Sequence, residues 1–182
     1  TKSRRPTLVS GAINGNPTMA FNGKGFMCLP TDKSLNSGGP YDQKTICVLV
    51  RSSDDVTKRQ MIFDQGDSKT GMNIYIDQNK IYMGAWNNRN RESVTTWGER
   101  FLVCGDVLPN QTYALMLVLD QTNARLSGYV NGALMSDVVG VGFLSSSKEK
   151  IAFGSKSGGT QYHGRGGAKG FKGEIGEIWY YN

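Results

Sequence analysis

Several stretches of the chain alternate apolar and polar side chains with a period of two, which is the pattern of a β-strand with one buried face. In residues 73–77 the two isoleucines lie on one face, and in residues 126–131 Leu, Gly and Val alternate with Ser, Tyr and Asn. Residues 44–51 predict another long strand because they are rich in β-branched side chains. Residues 113–119 are apolar throughout, so they predict a central strand that is covered on both sides.

Turn signals separate these stretches. They lie at Asn22-Gly23, at residues 77–79, at residues 108–110 and at Asn131-Gly132. The last is a strong hairpin signal, since Asn-Gly readily adopts the positive φ angles of a tight turn between two strands. No window of helical length keeps a 3.6-residue apolar period without interruption by glycine or β-branched residues. The pattern therefore predicts an all-β fold with almost no helix.

The length and composition fit one globular domain, which we place at residues 1–182. The 182 residues are enough to bury a core without disulfide or metal support, and 38% hydrophobic with 20% charged residues excludes a disordered chain. No apolar run approaches the roughly 20 residues of a membrane helix, so we expect no membrane insertion. The chain begins without Met and without an apolar leader, so we expect a module of a larger polypeptide that supplies other domains and the targeting signals.

The three cysteines indicate no metal or redox site. Cys28, Cys47 and Cys104 are odd in number, and none belongs to a C-x-x-C pair. Cys28 and Cys47 lie in apolar, strand-like runs, where a buried and unreactive thiol is expected. The redox compartment stays open on this composition.

The net charge of +6 has two interpretations. A basic surface favours an anionic partner such as nucleic acid, an acidic glycan or a membrane surface, whereas dispersed charges also serve solubility alone. The basic residues are not interleaved with aromatic residues in a nucleic-acid-binding motif. We therefore rank nucleic acid below glycan as a partner.

The order and spacing of several short motifs resemble the concanavalin A-like, laminin G-like jelly rolls, which occur as modules of large secreted or surface proteins. The matching segments span nearly the whole chain: Met19 to Gly23, Ile46 to Arg51, Met61 to Asp67, Gly84 to Trp86, Pro109 to Tyr113, Gly128 to Gly132 and Phe171 to Asn182. The resemblance implies a jelly-roll sandwich of two antiparallel sheets, of the concanavalin A-like lectin/glucanase type, in an extracellular or cell-surface protein. We further expect the closing segment, residues 173–181, to be a strand that pairs with the region near residues 19–29.

The catalytic groups of enzymes with this fold have no complete counterpart in the chain. Glucanases carry carboxylates on alternate positions of one strand, whereas Glu174 and Glu177 are three residues apart and point to opposite faces unless a bulge intervenes. Gln161-Tyr162-His163 resembles part of the Gln-x-His arrangement of jelly-roll polysaccharide lyases, but the partner motifs of those enzymes are not recognisable. We therefore expect no enzyme and keep a lyase or hydrolase as the second alternative.

The resemblance also raises the question of a structural calcium ion. Members of the family often hold one calcium, but Gly176 stands where an Asp is common, which removes a hard oxygen ligand. Asp64 and Asp67 lie in a glycine-containing turn and either bind an ion or accept hydrogen bonds from their own backbone, the commoner role of such residues. We expect no cofactor and no metal, with a structural calcium as the open alternative.

Two polar stretches are the candidate binding loops, because long polar loops on a rigid sandwich often carry the binding site. A sugar presents apolar faces ringed by hydroxyls, so its site needs flat aromatic side chains beside amide and guanidinium groups. The segment between two tryptophans and the glycine-rich, basic segment 155–170 offer these groups. The predicted ligand-binding residues are Trp86, Asn87, Asn88, Arg89, Arg91, Trp97, Tyr162, His163 and Arg165.

These residues predict a non-catalytic carbohydrate-binding or adhesion module, with an acidic glycan favoured by the local arginines. The alternative is a protein–protein interaction or architectural domain that uses the same loops or a sheet face to bind a cell-surface or protein ligand. Exposure separates the two hypotheses. A solvent-facing Trp86 or Trp97 beside Arg89 favours a ligand, and two buried tryptophans favour architecture.

Overall fold

Nearly every element of the computed structural model is a β-strand. The structure describes residues 4–90 and 94–182. A short helical turn, Lys33–Ser37, interrupts the strands, and no helix in the described part of the chain has the length and apolar character that a membrane crossing needs. The strands are, in chain order, β1 (Thr7–Ile13), β2 (Asn16–Asn22), β3 (Met27–Leu29), β4 (Gln43–Ser52), β5 (Gln60–Gly66), β6 (Thr70–Asp77), β7 (Lys80–Asn87), β8 (Gly98–Asp106), β9 (Thr112–Asp120), β10 (Arg125–Val130), β11 (Ala133–Val139), β12 (Ile151–Phe153), β13 (Lys169–Gly170) and β14 (Lys172–Tyr181).

The strands form two sheets with a shared core. The first sheet has the order β1-β2-β14-β4-β9-β10-β11, and the second has the order β3-β12-β5-β6-β7-β8, with β13 beside β5. Neighbours along both orders are antiparallel, whereas the two-residue β13 is parallel to β5. This arrangement confirms the predicted all-β, jelly-roll sandwich of two antiparallel sheets.

Two tight hairpins follow directly from local sequence. Asn131 and Gly132 join β10 to β11 with φ angles of 52° and 82°. Gln78 and Asn79 join β6 to β7 with φ angles of 49° and 61°. Both loops have two residues with positive φ, the turn geometry whose twist matches that of the flanking strands. Both predicted turns are confirmed.

The closing strand β14 lies inside the first sheet, between β2 and β4. Its first half pairs with β2, from Lys172 opposite Asn22 to Ile175 opposite Met19, and its second half continues along β4. The predicted pairing with the start of the chain is confirmed for β2. It is wrong for β3, which lies in the second sheet and pairs with β12.

The core lies between the inward faces of the two sheets. Val48 of β4 and Leu117 of β9 face it from the first sheet, and Ile74 of β6 and Met83 of β7 face it from the second, all at 0% exposure. The burial of β9 alternates along the strand, so the prediction that β9 is covered on both sides is wrong. Every residue of β5 and β6 is buried instead, because residues 155–170 run across the outer face of the second sheet.

The three cysteine thiols differ in accessibility. Cys104 is buried and Cys47 is half-buried, whereas Cys28 is exposed. The expectation of a buried Cys28 is wrong because β3 is a three-residue strand at the edge of the second sheet, as formed by the described residues 4–90 and 94–182. Cys28 is therefore the most accessible of the three to reagents in solution. Burial raises the pKa of the Cys104 thiol to about 12, which makes that thiol unreactive near neutral pH.

Candidate functional site

Trp86 and Asn87, the first two predicted ligand-binding residues, are fully buried at the end of β7. The Trp86 indole N–H donates to the Asp67 carbonyl at 2.8 Å, and a Cβ atom added to Gly71 would lie 2.5 Å from the indole ring. The Asn87 amide donates to the Thr95 carbonyl at 3.2 Å. Ligand contact at these two residues stays a prediction, but in the structure their N–H groups fasten loops to the sheet and their surfaces do not reach solvent.

Arg89 is half-buried and held by the protein itself. Its Nη2 lies 2.5 Å from Asp67 Oδ2, and its Nη1 lies 3.5 Å from the Ser146 carbonyl. Asn88 next to it is exposed. Arg91, which was predicted to act with Arg89, lies outside the described residues. The Arg89 guanidinium is therefore committed to an internal ion pair, and a ligand would have to compete with Asp67 for it.

Trp97 is half-exposed and packs against the margin of the core. Its indole N–H donates to the Phe143 carbonyl at 2.9 Å. Trp86 is buried, as expected of an architectural residue, whereas part of the Trp97 ring is accessible to a ligand.

Residues 155–170, the second predicted loop, are bonded to the outer face of the second sheet. The Ser157 backbone N–H donates to Asp64 Oδ2 at 2.9 Å, and the Asn73 amide donates to the Gln161 carbonyl at 2.7 Å. Asp64 and Asn73 are cross-strand neighbours on β5 and β6. The loop is thus part of the folded layer that buries β5 and β6, and the face beneath it is closed to ligands.

His163, the single histidine, is a packing residue in this layer. Its ring stacks on Tyr82 with centroids 3.7 Å apart, and its Nδ1 lies 2.8 Å from the Tyr75 hydroxyl. Burial and the nearby Arg59 lower the pKa of His163. Tyr162 meets Tyr75 edge-on at 5.3 Å. Both loop side chains remain partly exposed, but their polar atoms face inward.

Arg59 clamps the far end of the same loop. Its guanidinium donates to the carbonyls of His163, Arg165 and Gly166, each at 3.2 Å, and pairs with Asp77 at 2.8 Å. The Arg165 side chain itself is exposed. The loop backbone is therefore held at three points, and among the three predicted residues of this loop Arg165 has the most exposed side chain.

The predicted residues that the structure describes do not converge on one site. Trp86 lies opposite Gly71 near the start of β6, whereas His163 bonds Tyr75 four residues further along. At the rise of an antiparallel strand these positions are about 13 Å apart. Arg165 lies beyond His163, at the Arg59 end of the strand. The two polar segments are therefore neighbours along the sheet rather than two sides of one pocket.

Asp64 is a fully buried carboxylate under the loop. Burial raises the pKa of Asp64 to about 7, although hydrogen bonds from Ser157 and Thr160 and the charge of Lys156 act in the opposite direction. Its Oδ1 has no hydrogen-bond partner among the described residues. Because its charge is poorly compensated, Asp64 makes the fold sensitive to pH.

Asp67 behaves as a turn residue. Its Oδ1 accepts the backbone N–H groups of Lys69 and Thr70, at 2.7 and 3.1 Å, which is the backbone-bonding role expected of an Asp in a turn. Within residues 4–90 and 94–182 no group of three or more His, Cys, Asp or Glu side chains is placed to hold a metal ion. The calcium alternative stays an expectation from sequence.

A basic cleft that the sequence did not predict lies at the β3 edge of the second sheet. β12 pairs with β3 through Ala152 and Cys28, and the segments that enter and leave β12 bring their lysines to the residues around β3. The cleft has a volume of about 490 Å³. We define the basic cleft by its lining residues, which are Phe26, Cys28, Pro30, Thr31, Lys148, Glu149, Lys150, Lys156 and Ser157.

The charges of the basic cleft are available to a ligand. Lys148, Lys150 and Lys156 are exposed, and none of them forms an ion pair with a carboxylate among the described residues. Phe26 beside them is 43% exposed. Glu149 is the one acidic residue in the lining. The cleft therefore combines three free ammonium groups with an accessible aromatic ring.

The parts of this cleft come from distant segments, which is why sequence reasoning missed it. Phe26 precedes the three lysines by most of the chain, and the pairing of β3 with β12 brings them together. The one available signal was local, a Lys-Glu-Lys run at residues 148–150 and Lys156 on either side of a short apolar strand.

Residues 21–182 match a family model described as the concanavalin A-like lectin/glucanases superfamily. The chain belongs to this superfamily. The match covers both sheets except β1 and the start of β2, so it agrees with the observed sandwich. A comparison with the curated proteins finds no match.

Three solved structures illustrate the similarity of fold. Domain 4 of AbnA, a GH43 extracellular arabinanase from Geobacillus stearothermophilus, in complex with arabinotriose, has a TM-score of 0.63 at 15% identity, over 98% of this chain and 79% of that chain. The CBM40 of the Ruminococcus gnavus IT-sialidase, bound to α2,3 sialyllactose, has a TM-score of 0.57 at 19% identity, over 82% and 77%. Domains LG4-5 of the mouse laminin α1 chain have a TM-score of 0.66 at 13% identity, over 97% of this chain and 43% of that chain. At these identities the similarity shows the fold.

Glu174 and Glu177, the two carboxylates that were compared with the pair of a glucanase, lie close to an irregularity in β14. The register of β14 shifts between Ile175, opposite Val50, and Ile178, opposite Val48. Both isoleucines pack toward the core, so the bulge leaves Glu174 and Glu177 together on the outer face of the first sheet. The sequence predicted opposite faces unless a bulge intervened, and this bulge is present. Glu177 is exposed on that open face, whereas glycosidases hold the sugar between their carboxyls in a cleft.

Proposed function

We propose that this domain is a non-catalytic carbohydrate-binding module that recognises acidic glycans through the basic cleft. The observation that carries the proposal is the meeting of three unpaired lysines with the exposed ring of Phe26 in one cleft. Similar folds have been solved with arabinotriose and with α2,3 sialyllactose, which supports a glycan as the class of ligand. Acidic glycans are abundant on cell surfaces, so we expect the domain to act outside the cell.

The chemistry of the cleft matches a sulfated or carboxylated sugar. The ammonium groups of Lys148, Lys150 and Lys156 supply charge-assisted hydrogen bonds to the anionic substituents. The Phe26 ring offers a flat apolar surface to the C–H face of a pyranose ring. The hydroxyl of the exposed Thr31 in the lining can exchange hydrogen bonds with sugar hydroxyls. Because the lysines are exposed, the attraction should weaken as salt rises.

The decisive experiment measures glycan binding by paired lysine variants. A glycan array read at low and high salt first identifies the preferred acidic glycan, and calorimetric titration with heparin-derived oligosaccharides then gives the affinity. We expect Lys150→Gln combined with Lys156→Gln to weaken binding by about tenfold to a hundredfold, as the loss of charged hydrogen bonds predicts. Lys24→Gln is the matched control, since Lys24 is exposed and lies outside the cleft. Equal affinity of the double variant and the wild type would refute the proposed site.

One observation favours protein–protein interaction as a second candidate function. Cross-strand register aligns Trp179, Cys47, Met116, Tyr129 and Leu134 in a row across five strands of the outer face of the first sheet. Trp179 is 39% exposed and Leu134 is 52% exposed, although outward positions of a sandwich are usually polar. A Trp179→Lys variant that loses binding to a protein ligand but keeps binding to heparin oligosaccharides would support this function.

A further inference from the structure

A second cavity, of about 420 Å³, lies between the two sheets at the β3 edge. We call it the apolar cavity, and its lining residues are Met27, Cys28, Leu29, Phe153, Ile178 and Tyr180. The one hydroxyl among them is already bonded, since the Tyr180 oxygen accepts from Lys44 Nζ at 2.9 Å and its O–H faces Gln65 Oε1 and the Leu35 carbonyl. The side chains that line the cavity therefore offer mainly hydrocarbon, aromatic and sulfur surface.

The apolar cavity and the basic cleft meet at one residue of the edge strand. Cys28 lines both spaces, with its neighbours Met27 and Leu29 in the apolar cavity and Phe26 in the basic cleft. β3 is three residues long and has no strand beyond it in the part of the chain that the structure describes, so it is a narrow divider between the two. A molecule bound at Cys28 can therefore contact three lysines on one side and an apolar cavity on the other.

We propose that the ligand of this domain is an amphiphile, an acidic sugar carried on an alkyl chain. The charged sugar occupies the basic cleft and the chain occupies the apolar cavity. This inference rests on the proposed recognition of acidic glycans and narrows it to glycolipid-like molecules. The complementary chemistry of two adjoining spaces carries it, because the charged half of such a molecule matches the basic cleft and its alkyl half matches the apolar cavity.

The sizes of the two spaces suit such a ligand. Both volumes lie within the range of pockets that bind small molecules and cofactors, which is about 300–1,000 Å³. Burial of each methylene group of a chain is favourable, so even a partly buried alkyl chain adds to the affinity of its sugar. Leu29 is 41% exposed at the mouth of the apolar cavity, which indicates an opening through which a chain can enter.

The test compares three small probes by calorimetric titration below their micelle-forming concentrations. Octyl β-glucuronide has the charged sugar and the chain, methyl β-glucuronide has the charged sugar without the chain, and octyl β-glucoside has the chain on a neutral sugar. We expect octyl β-glucuronide to bind on the order of thirtyfold more tightly than either of the others. Equal binding of the two glucuronides would overturn the amphiphile proposal and leave acidic-glycan recognition standing. Equal binding of the two octyl compounds would also overturn it, since the charge would then contribute nothing.

A variant of the apolar cavity locates the chain. Leu29→Ser should reduce the advantage of octyl over methyl β-glucuronide by about fivefold and leave the affinity for methyl β-glucuronide unchanged. Because Leu29 is partly exposed, its loss should not unfold the domain. Leu8→Ser is the matched control, an exposed leucine of β1 outside both spaces. If neither methyl β-glucuronide nor heparin oligosaccharides bind the wild-type protein, the proposed function fails, and that outcome is distinct from the loss of the chain effect alone.

Discussion

The segment from Trp86 to Trp97 and the basic cleft are both rich in cationic and aromatic groups, yet the fold uses them in opposite ways. Arg89 is paired with Asp67, and Trp86 is buried with its N–H on the Asp67 carbonyl. The lysines of the basic cleft have no carboxylate partner among the described residues. A run of hydrogen-bonding residues can therefore serve the stability of the fold rather than the binding of a ligand.

Burial explains why N–H groups of the first region are bonded within the protein. An indole N–H or a side-chain amide taken out of water needs an internal partner, since an unpaired polar group is strongly destabilising. The Trp86 indole N–H and the Asn87 side-chain N–H meet this requirement with carbonyl groups of nearby loops, whereas Asn87 Oδ1 has no hydrogen-bond partner among the described residues. An exposed lysine has no such requirement because water solvates it, so the groups free to bind a ligand are those that the core does not use.

The largest expected effect separates the two regions by stability. Trp86→Ala should lower the free energy of unfolding by about 3–5 kcal/mol, because it empties a fully buried indole site and removes a hydrogen bond. Urea denaturation measures the loss, and titration with a heparin oligosaccharide should give an unchanged affinity for the folded variant. Trp97→Ala, at a half-exposed position, should lose less. A stable Trp86→Ala variant with abolished binding would show that the comparison is wrong.

The next largest effect is the pH dependence of stability that Asp64 should cause, since this buried carboxylate lies beneath Ser157 of the basic cleft. The pKa of Asp64, raised by burial to about 7, lies above its unfolded value of 3.8. Between these values the folded protein holds a proton that the unfolded chain has lost, so the free energy of unfolding should fall as pH rises from about 4 to about 7, by at most about 4 kcal/mol. Asp64→Asn should remove this fall, as urea denaturation across that pH range would show.

Lys44 should produce the opposite slope at higher pH. Burial lowers the pKa of Lys44 from 10.5 to about 7, so the unfolded chain binds more protons than the folded protein between these values. The free energy of unfolding should therefore rise again above about pH 7, and a Lys44→Met variant should lack the rise. Together the two groups predict a stability minimum near neutral pH. A flat profile in the wild type would contradict the assignment of both buried charges.

Salt provides a smaller test of the basic cleft. Raising NaCl from about 0.05 M to about 0.5 M should weaken binding of an acidic oligosaccharide on the order of tenfold, because screening acts strongly on exposed lysines. The Lys150→Gln, Lys156→Gln double variant should show a much shallower dependence. A neutral oligosaccharide that binds equally well at both salt concentrations would remove the charge argument but not the location.

The smallest expected effect belongs to Arg89. Arg89→Gln breaks a half-buried ion pair with Asp67 and should lower the free energy of unfolding by about 1 kcal/mol. Its affinity for acidic oligosaccharides should stay within twofold of wild type, since the guanidinium is occupied by the protein itself. A loss of affinity comparable to that of the lysine double variant would instead return the site to the Trp86–Trp97 segment.

Features set by neighbouring residues were predictable from sequence, whereas features set by contacts between distant segments were not. The hairpin at Asn131-Gly132 was predictable because its φ angles depend on two residues and their neighbours. The facing of Glu174 and Glu177 was not, because the bulge in β14 arises from its pairing with β4. Cys28 was expected to be buried from its apolar neighbours, but its place on an edge strand exposes it.

The sequence by itself determined the class of fold, since period-two alternation and turn residues act locally and the order of motifs matches one superfamily. It also determined that the chain carries an excess of positive charge. Only the tertiary structure decided which of those charges are free. Asp67 lies close to Arg89 in space, and β12 brings Lys150 beside Phe26, through contacts between segments far apart in the chain. Availability of a side chain depends on its neighbours in space, and a one-dimensional pattern does not contain them.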